Sequence, residues 1–340
     1  MLLLLLLVLV LSIIAWKAYQ YYKYIYRSNV EVSDGTTYIL IPEGADFEDV
    51  QEILLASGCL LDLESFLWVA EQKNYPKKVK PGRYLITHGM NNNSLVNLLR
   101  SGEQSPLMVT LNNMRFTEDV ASIASRKLDL DSADLMAYLR DAQYLSKYGF
   151  DPSRVKALFI PNTYEFYWDT DEVEFIERMA VEYKKFWNDE RKAKARKLNL
   201  TQTEVTTLAS IVEKETLIPE EKPRVAGLYL NRLRRGIKLQ ADPTVVYAVG
   251  DFEINRVLKE HLKVDSPFNT YKYEGLPPAP ICIPEISSID AVLNAESHSY
   301  IFMCAKADFS GYHAFATNLR EHNRNARAYQ KALNKRKIFR

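Results

Sequence analysis

The first sixteen residues, MLLLLLLVLVLSIIAW, carry no charged side chain and are almost wholly apolar. The run extends through Ala18, Tyr19 and Tyr21, reaching the ~20 residues that a spanning helix needs. Its tyrosines and lysines suit a membrane interface. A helix in a soluble core would keep a polar face, and no small-x-small cleavage site follows. The pattern predicts a single N-terminal membrane anchor over residues 1–26. Lys17, Lys23 and Arg27 lie after the run and nothing basic precedes it. On charge alone that would place the bulk of the chain in the cytoplasm.

Beyond the anchor, apolar positions follow two rhythms. TTYILIPEG (36–44) reads as a strand ending in a turn. DFEDVQEILLASG (46–58) is helical, with Gly58 as its stop. Phe66 to Ala70 lies in a second helix, GRYLI (82–86) is a strand, and SLVNLLRSG (94–102) is a helix with Ser94 as N-cap. Strand, helix, helix, strand, helix within about seventy residues makes a small α/β module over 36–105.

A strand at 107–113 then leads into helices around 120–128 and 133–144. FIPNTYEFYWDT (159–170) interrupts the helical texture, and a long charged helix is expected over 173–198. TQTE (201–204) is a capping box ahead of an apolar run. Pro219 and Pro223 end that helix and begin the next, with Gly236 as its cap. Asp242 is expected to cap a third helix, with Pro243 at its first position. Gln240 lies just ahead, in a loop able to carry its amide toward a ligand. SPFNTYKYEGLPPAPICIP (266–284) holds five prolines, and irregular stretches of this length inside a domain tend to be functional. FMCAKADFSGYHAFATN (302–318) reads as a hairpin turning at 308–311, with His313, Phe315 and Thr317 alternating onto one face.

The helix opened by the capping box carries Glu213 and Glu215, which cannot share a face. At 100° per residue from Leu208, Val205, Ile211 and Val212 fall within about 60° of it, and Glu215 falls near about −20°. Glu213 falls near about 140°, toward the polar side, as a surface or supporting residue paired with a nearby cation. Glu215 is thus aimed at an apolar interior. There a carboxyl group either finds a partner or raises its pKa until it holds a proton. The first outcome is a structural network. The second is what general-acid catalysis on a glycosidic oxygen requires.

Composition narrows the field. Lys and Arg total 44 against 43 for Asp and Glu, a net charge of +1, which argues against a nucleic-acid partner. Three cysteines without CxxC spacing establish neither a disulfide framework nor a zinc site. No GxSxG, Walker loop, HExxH or dinucleotide fingerprint occurs, so neither metal nor cofactor is expected. Asn269, Thr270 and Tyr271 in the proline-rich stretch supply amide, hydroxyl and aromatic groups suited to sugar. His313 is a candidate proton partner or ligand.

LASIVEKET, NRLRRGIKLQADPTVVYAVG, SPFNTYKYEGLPPAPICIP and GYHAFATNLREHNRN, in this order, resemble the YceG/MltG endolytic murein transglycosylases; FIPNTYEFYW is similar to an upstream segment of the family. The resemblance runs from about residue 38 to 329. It implies an α+β fold: a transmembrane helix, a small LysM-like α/β module, and a larger mixed α/β catalytic region over 106–340 with its core at about 200–330. No LysM signature is recognisable in the module. The family's catalytic glutamate falls on Glu215. Glu213, Gln240, Asn269, Thr270, Tyr271, His313 and Thr317 would belong to the substrate site.

The implied reaction uses one carboxyl group. Glu215 protonates the oxygen between MurNAc and the next GlcNAc, then accepts the proton of the MurNAc C6 hydroxyl as a 1,6-anhydro ring closes. Implied partners are glycan strands of peptidoglycan, the membrane and peptidoglycan synthases. The implied location is the cell membrane, single-pass, with the catalytic domain extracytoplasmic, opposite to the charge pattern above. Two other readings stay open. A non-catalytic peptidoglycan-binding scaffold would keep Glu215 in an ion pair. A hydrolytic muramidase would need a second carboxylate, Asp242 or Glu165.

Overall fold

A computed structural model describes residues 1–254 and 256–336. Residues 337–340, the end of the region expected to be catalytic, lie outside the described residues. The chain divides into two compact units. The first comprises residues 1–109, 125–130 and 164–171; the second comprises 110–124, 131–163 and 172–340.

The first unit begins with helix α1 (Leu2–Tyr26). Residues Leu3–Tyr26 form a helix long and apolar enough to cross a membrane. Strand β1 (Thr36–Ile41), helices α2 (Phe47–Ser57) and α3 (Leu63–Gln72), strand β2 (Gly82–Thr87) and helix α4 (Asn92–Ser101) follow in the expected order. β1 and β2 pair antiparallel, with Thr36 opposite Thr87 and Ile41 opposite Gly82. Their inward residues Ile39, Ile41, Tyr84 and Ile86 join Val50, Leu54, Phe66, Leu95 and Leu99 in one core. Asp46 closes a capping box with Asp49, and Gly58 ends α2 in the left-handed conformation. The cap of α4 is Asn91 rather than Ser94; the Asn91 carboxamide oxygen accepts from the Ser94 N–H, so Ser94 stands one turn inside. The last turn of α1 is fastened to this unit. Tyr21 stacks on Trp68 at 5.0 Å, and Asn92 donates to the Tyr24 carbonyl at 2.8 Å.

Strands β3 (Leu107–Leu111) and, further on, β4 (Asn162–Phe166) carry the division between the units. In the second unit come α5 (Thr117–Ser125), α6 (Ser132–Arg140) and α7 (Ala142–Ser146). The helix expected over 133–144 is split because the Asp141 carboxylate caps a new start. The long helix expected over 173–198 is likewise two, α8 (Glu172–Phe186) and α9 (Asp189–Lys197). Trp187 is fully buried between them, and Asn188 caps α9.

Helix α10 (Gln202–Glu215) opens with the Thr201–Glu204 capping box. Its expected stripe, Val205, Leu208, Ile211 and Val212, is fully buried, yet Thr206, Thr207 and Ser210 are buried as well. Each of their hydroxyls donates to a carbonyl of the same helix, and the Ser210 oxygen also accepts from the Ile281 N–H. Satisfied hydroxyls make a polar face buriable, which is why apolar periodicity understates the burial of this central helix.

α11 (Lys222–Arg234), α12 (Asp242–Val249), α13 (Ile286–Leu293), the antiparallel hairpin β5 (Phe302–Ala305) and β6 (His313–Ala316), and α14 (Leu319–Lys335) complete the unit. α11 runs so close to the chain at Glu296 that a Cβ on Gly227 would meet the Glu296 carbonyl oxygen. Asp242 is not the N-cap of α12. Ala241 occupies that position, and the Asp242 carboxylate is engaged elsewhere. Thr317 lies one residue past β6, exposed, where it donates to Glu321 instead of continuing the face of the hairpin.

Candidate active site

Glu215 is the last residue of α10, where the chain turns extended at Thr216. It is half-buried and lines two adjoining cavities of the second unit. The first, about 540 Å³, is walled by Tyr229 and Arg232 from α11, Gln240, Tyr271, the hairpin with His313, and His322 of α14. The second, about 720 Å³, holds Arg115, Lys214, Tyr247, Phe252 and Tyr329. Glu215, Asp242 and Ala305 are common to both.

The Glu215 carboxyl accepts a 2.6 Å hydrogen bond from the Tyr229 hydroxyl. Burial pushes its pKa up to about 7; the Tyr229 bond works against this, and the Asp242 charge adds to it. A carboxyl group poised there can give up a proton near neutrality and take one back. No ion pair neutralises it among the described residues.

The neighbours are held by bonds that run through the unit. Arg232 donates to the carbonyls of Lys238 and Ile301, each at 2.9 Å, and to the Gln240 amide oxygen. It thereby ties α11 to the Gln240 loop and the hairpin. Gln240 has φ +51°, a region that side chains other than Gly and Asn seldom adopt. Its N–H donates to the Thr270 carbonyl at 3.1 Å. Tyr271 donates to Asp242 Oδ1 at 2.5 Å; burial raises the pKa of its phenol, and this bond adds to the rise.

The other residues selected from sequence have different surroundings. Asn269 is fully buried and lines neither cavity; it donates to the carbonyls of Leu262 and Val264 and accepts from the Tyr271 N–H. Thr270 is buried between Ala241 N–H and the Thr244 hydroxyl. Glu213 meets Ser288 at 2.5 Å, the Glu285 N–H at 3.3 Å and Lys222 at 3.4 Å, at the start of α13. Thr317 lines neither cavity. Gln240, Tyr271 and His313 therefore share the Glu215 cavity, whereas Glu213, Asn269, Thr270 and Thr317 stand behind or outside it.

Sequence reasoning missed Tyr229, Arg232 and Glu221. Tyr229 is a packing residue by periodicity, and Arg232 one cation among several. Glu221 is buried, accepting from the His313 backbone N–H at 2.8 Å, from the ring at 2.7 Å and from Thr216 at 3.3 Å. An acidic residue in the proline-flanked turn 219–221 gives no local signal of burial.

Fold and site together define a mixed helix-and-sheet protein with two adjoining cavities that share Glu215, a carboxyl group whose pKa burial raises to about 7. The chain belongs to the YceG-like family, whose model matches residues 39–328. Two relatives carry the name endolytic murein transglycosylase. The one from Bacillus subtilis is 26% identical over 319 residues, covering 89% of this chain and 88% of its own. The one from Streptococcus pneumoniae is 27% identical over 318 residues, covering 84% of this chain and 57% of its own. A crystal structure of a YceG-like protein from Listeria monocytogenes aligns with a TM-score of 0.55 at 25% identity, over 86% of this chain and 99% of that one.

Proposed function

We propose that this protein is a membrane-anchored endolytic peptidoglycan transglycosylase, a carbon–oxygen lyase with Glu215 as its acid. The observation that carries the reading is the position of Glu215: half-buried, with its pKa raised to about 7, at the junction of two cavities. Two cavities that meet at the acid suit cleavage within a strand. In that arrangement Glu215 protonates the oxygen between MurNAc and GlcNAc, and an oxocarbenium-like centre develops at C1. The C6 hydroxyl closes on C1 as it loses its proton, leaving a 1,6-anhydroMurNAc end. The names of the relatives support the same activity.

Gln240, Tyr271 and His313 line the groove in this reading. Asn269 and Thr270 shape the Tyr271 loop, Glu213 fixes the start of α13 behind the site, and Thr317 orders the turn into α14. Residues 1–26 anchor the chain in the cell membrane, residues 36–105 form a LysM-like module that holds glycan, and residues 106–340 carry the reaction outside the cytoplasm. Cleavage there limits the length of nascent strands beside the synthases that extend them.

A hydrolytic reading has one observation in its favour. Asp242 lines both cavities and its charge raises Glu215. The two readings differ by one water in the product. The full chain in detergent, incubated with un-crosslinked glycan strands, is expected to give ends one water lighter than reducing MurNAc, with Glu215→Gln giving none. Full-mass reducing ends would establish hydrolysis. Binding without cleavage by the wild-type chain would establish a scaffold.

A further inference from the structure

The bonding of His313 deepens the reading above and rests on it. The Glu221 carboxyl is almost completely enclosed, its side chain 1% exposed. One oxygen accepts the His313 backbone N–H at 2.8 Å and the other faces Nδ1 of the same ring at 2.7 Å. A carboxylate receiving the backbone N–H requires a donor at Nδ1 also, so the proton of a neutral His313 sits on Nδ1. Nε2 is left with its lone pair. Among the described residues no partner takes that nitrogen, and His313 is one of the residues that line the Glu215 cavity. Thr216, the residue after Glu215, also donates to Glu221 at 3.3 Å. The bonds thus connect the end of the acid-bearing helix to the histidine through a single buried carboxylate.

We propose that His313 is a second catalytic residue, accepting the proton of the MurNAc C6 hydroxyl, and that Glu221 is the positioning residue that fixes its tautomer. The two proton transfers are then divided. Glu215 gives its proton to the leaving GlcNAc oxygen as the bond from that oxygen to C1 breaks. The C6 oxygen bonds to C1 as its proton passes to Nε2. Afterwards the imidazolium returns a proton to the Glu215 carboxylate through solvent, and both groups are reset. Holding the C6 hydroxyl by its proton also keeps its oxygen directed at C1 in competition with water.

The readout is the partition of products, which a merely structural role would leave unchanged. Full-length wild type, His313→Ala, His313→Asn and Glu221→Gln are incubated with un-crosslinked glycan strands, and anhydro and reducing ends are counted by mass spectrometry. Asn keeps an amide near the place of Nδ1 while emptying that of Nε2, so it remains informative if Ala fails to fold. The expected result for either His313 variant is a loss of about 10²-fold or more in anhydro ends. Their share of reducing ends is expected to rise about tenfold, with strand binding retained. Glu221→Gln should shift the partition in the same direction by less. A fall in rate at unchanged partition, or no change at all, overturns the proposal while leaving the transglycosylase intact. Absence of anhydro ends from the wild type overturns both.

Discussion

Glu215 lines both cavities, and three surroundings act on its carboxyl group in separable ways. Burial and the Asp242 charge favour the protonated form, while the Tyr229 hydrogen bond favours the ionised one. Tyr229→Phe removes the second influence, so the alkaline limb of the pH–rate profile, expected near pH 7, should move up by about one pH unit. Initial rates between pH 5 and 9 measure it; a limb that stays in place would mean that another group sets it. The same carboxyl links stability to pH. Its folded pKa, about 7, lies above the ordinary glutamate value of 4.5, so the folded state retains a proton that the unfolded chain has released. Its contribution therefore falls as pH rises through that interval and stays reduced above it. At about 1.4 kcal/mol per pH unit, the effect is bounded at about 3 kcal/mol. Glu215→Gln should accordingly gain stability over wild type at pH 8 but not at pH 4, as urea titrations at the two values would reveal. The helical wheel singled out Glu215 because one period of an apolar stripe was enough. It did not find Tyr229, whose hydroxyl reaches the carboxyl only because α10 and α11 pack together.

The irregular segment between α12 and α13 behaves as an element in its own right, organised by Asn269. Its buried side chain satisfies two carbonyls and one N–H of that segment. Asn269→Ala should cost about 2–3 kcal/mol through unmet buried groups. By releasing Tyr271 it should also raise KM more than it lowers kcat. Melting curves and steady-state kinetics test the two halves separately. Gly227 is a second such point: a methyl group there meets backbone at the crossing of α11 and residue 296. Gly227→Ala should destabilise the second unit by about 2 kcal/mol or more, measured by thermal unfolding, although alanine is the better helix former. Most element boundaries were legible, because caps and stop residues act over three or four positions. The splits at Asp141 and Asn188 were not. Both are caps inside otherwise helical stretches, and they prevail where burial of Tyr144, Leu145 and Trp187 requires the chain to turn.

For the whole molecule, the segment that follows the N-terminal apolar helix is built into the core of the first unit. Val30 is buried in that unit's core, and Asn29 exchanges hydrogen bonds with Asp62 and Asn92. A chain beginning at Val32 should therefore be less stable in this unit than one beginning at Lys17, by about 2–4 kcal/mol. Denaturant titrations of the two shortened chains measure the difference. The full chain should stay with membranes through an alkaline carbonate wash. A phosphatase fused after residue 35 should be active, as an extracytoplasmic site requires; an inactive fusion would argue against the envelope reading.

The sequence by itself determined the apolar helix, the order of elements in the small module, the capping box and stripe of α10, and Glu215 as the carboxyl group aimed inward. These are local: periodicity, capping and turn chemistry act within one or two turns of chain. Only the tertiary structure decided which polar groups meet. It paired Tyr229 with Glu215, gave Asp242 to Tyr271, withdrew Asn269 and Thr270 from the groove and placed buried Glu221 behind His313. Those partners lie from 14 to 92 residues apart in several of these bonds. A hydrogen bond depends on distances of a few tenths of an ångström, and only the packing of whole elements fixes them.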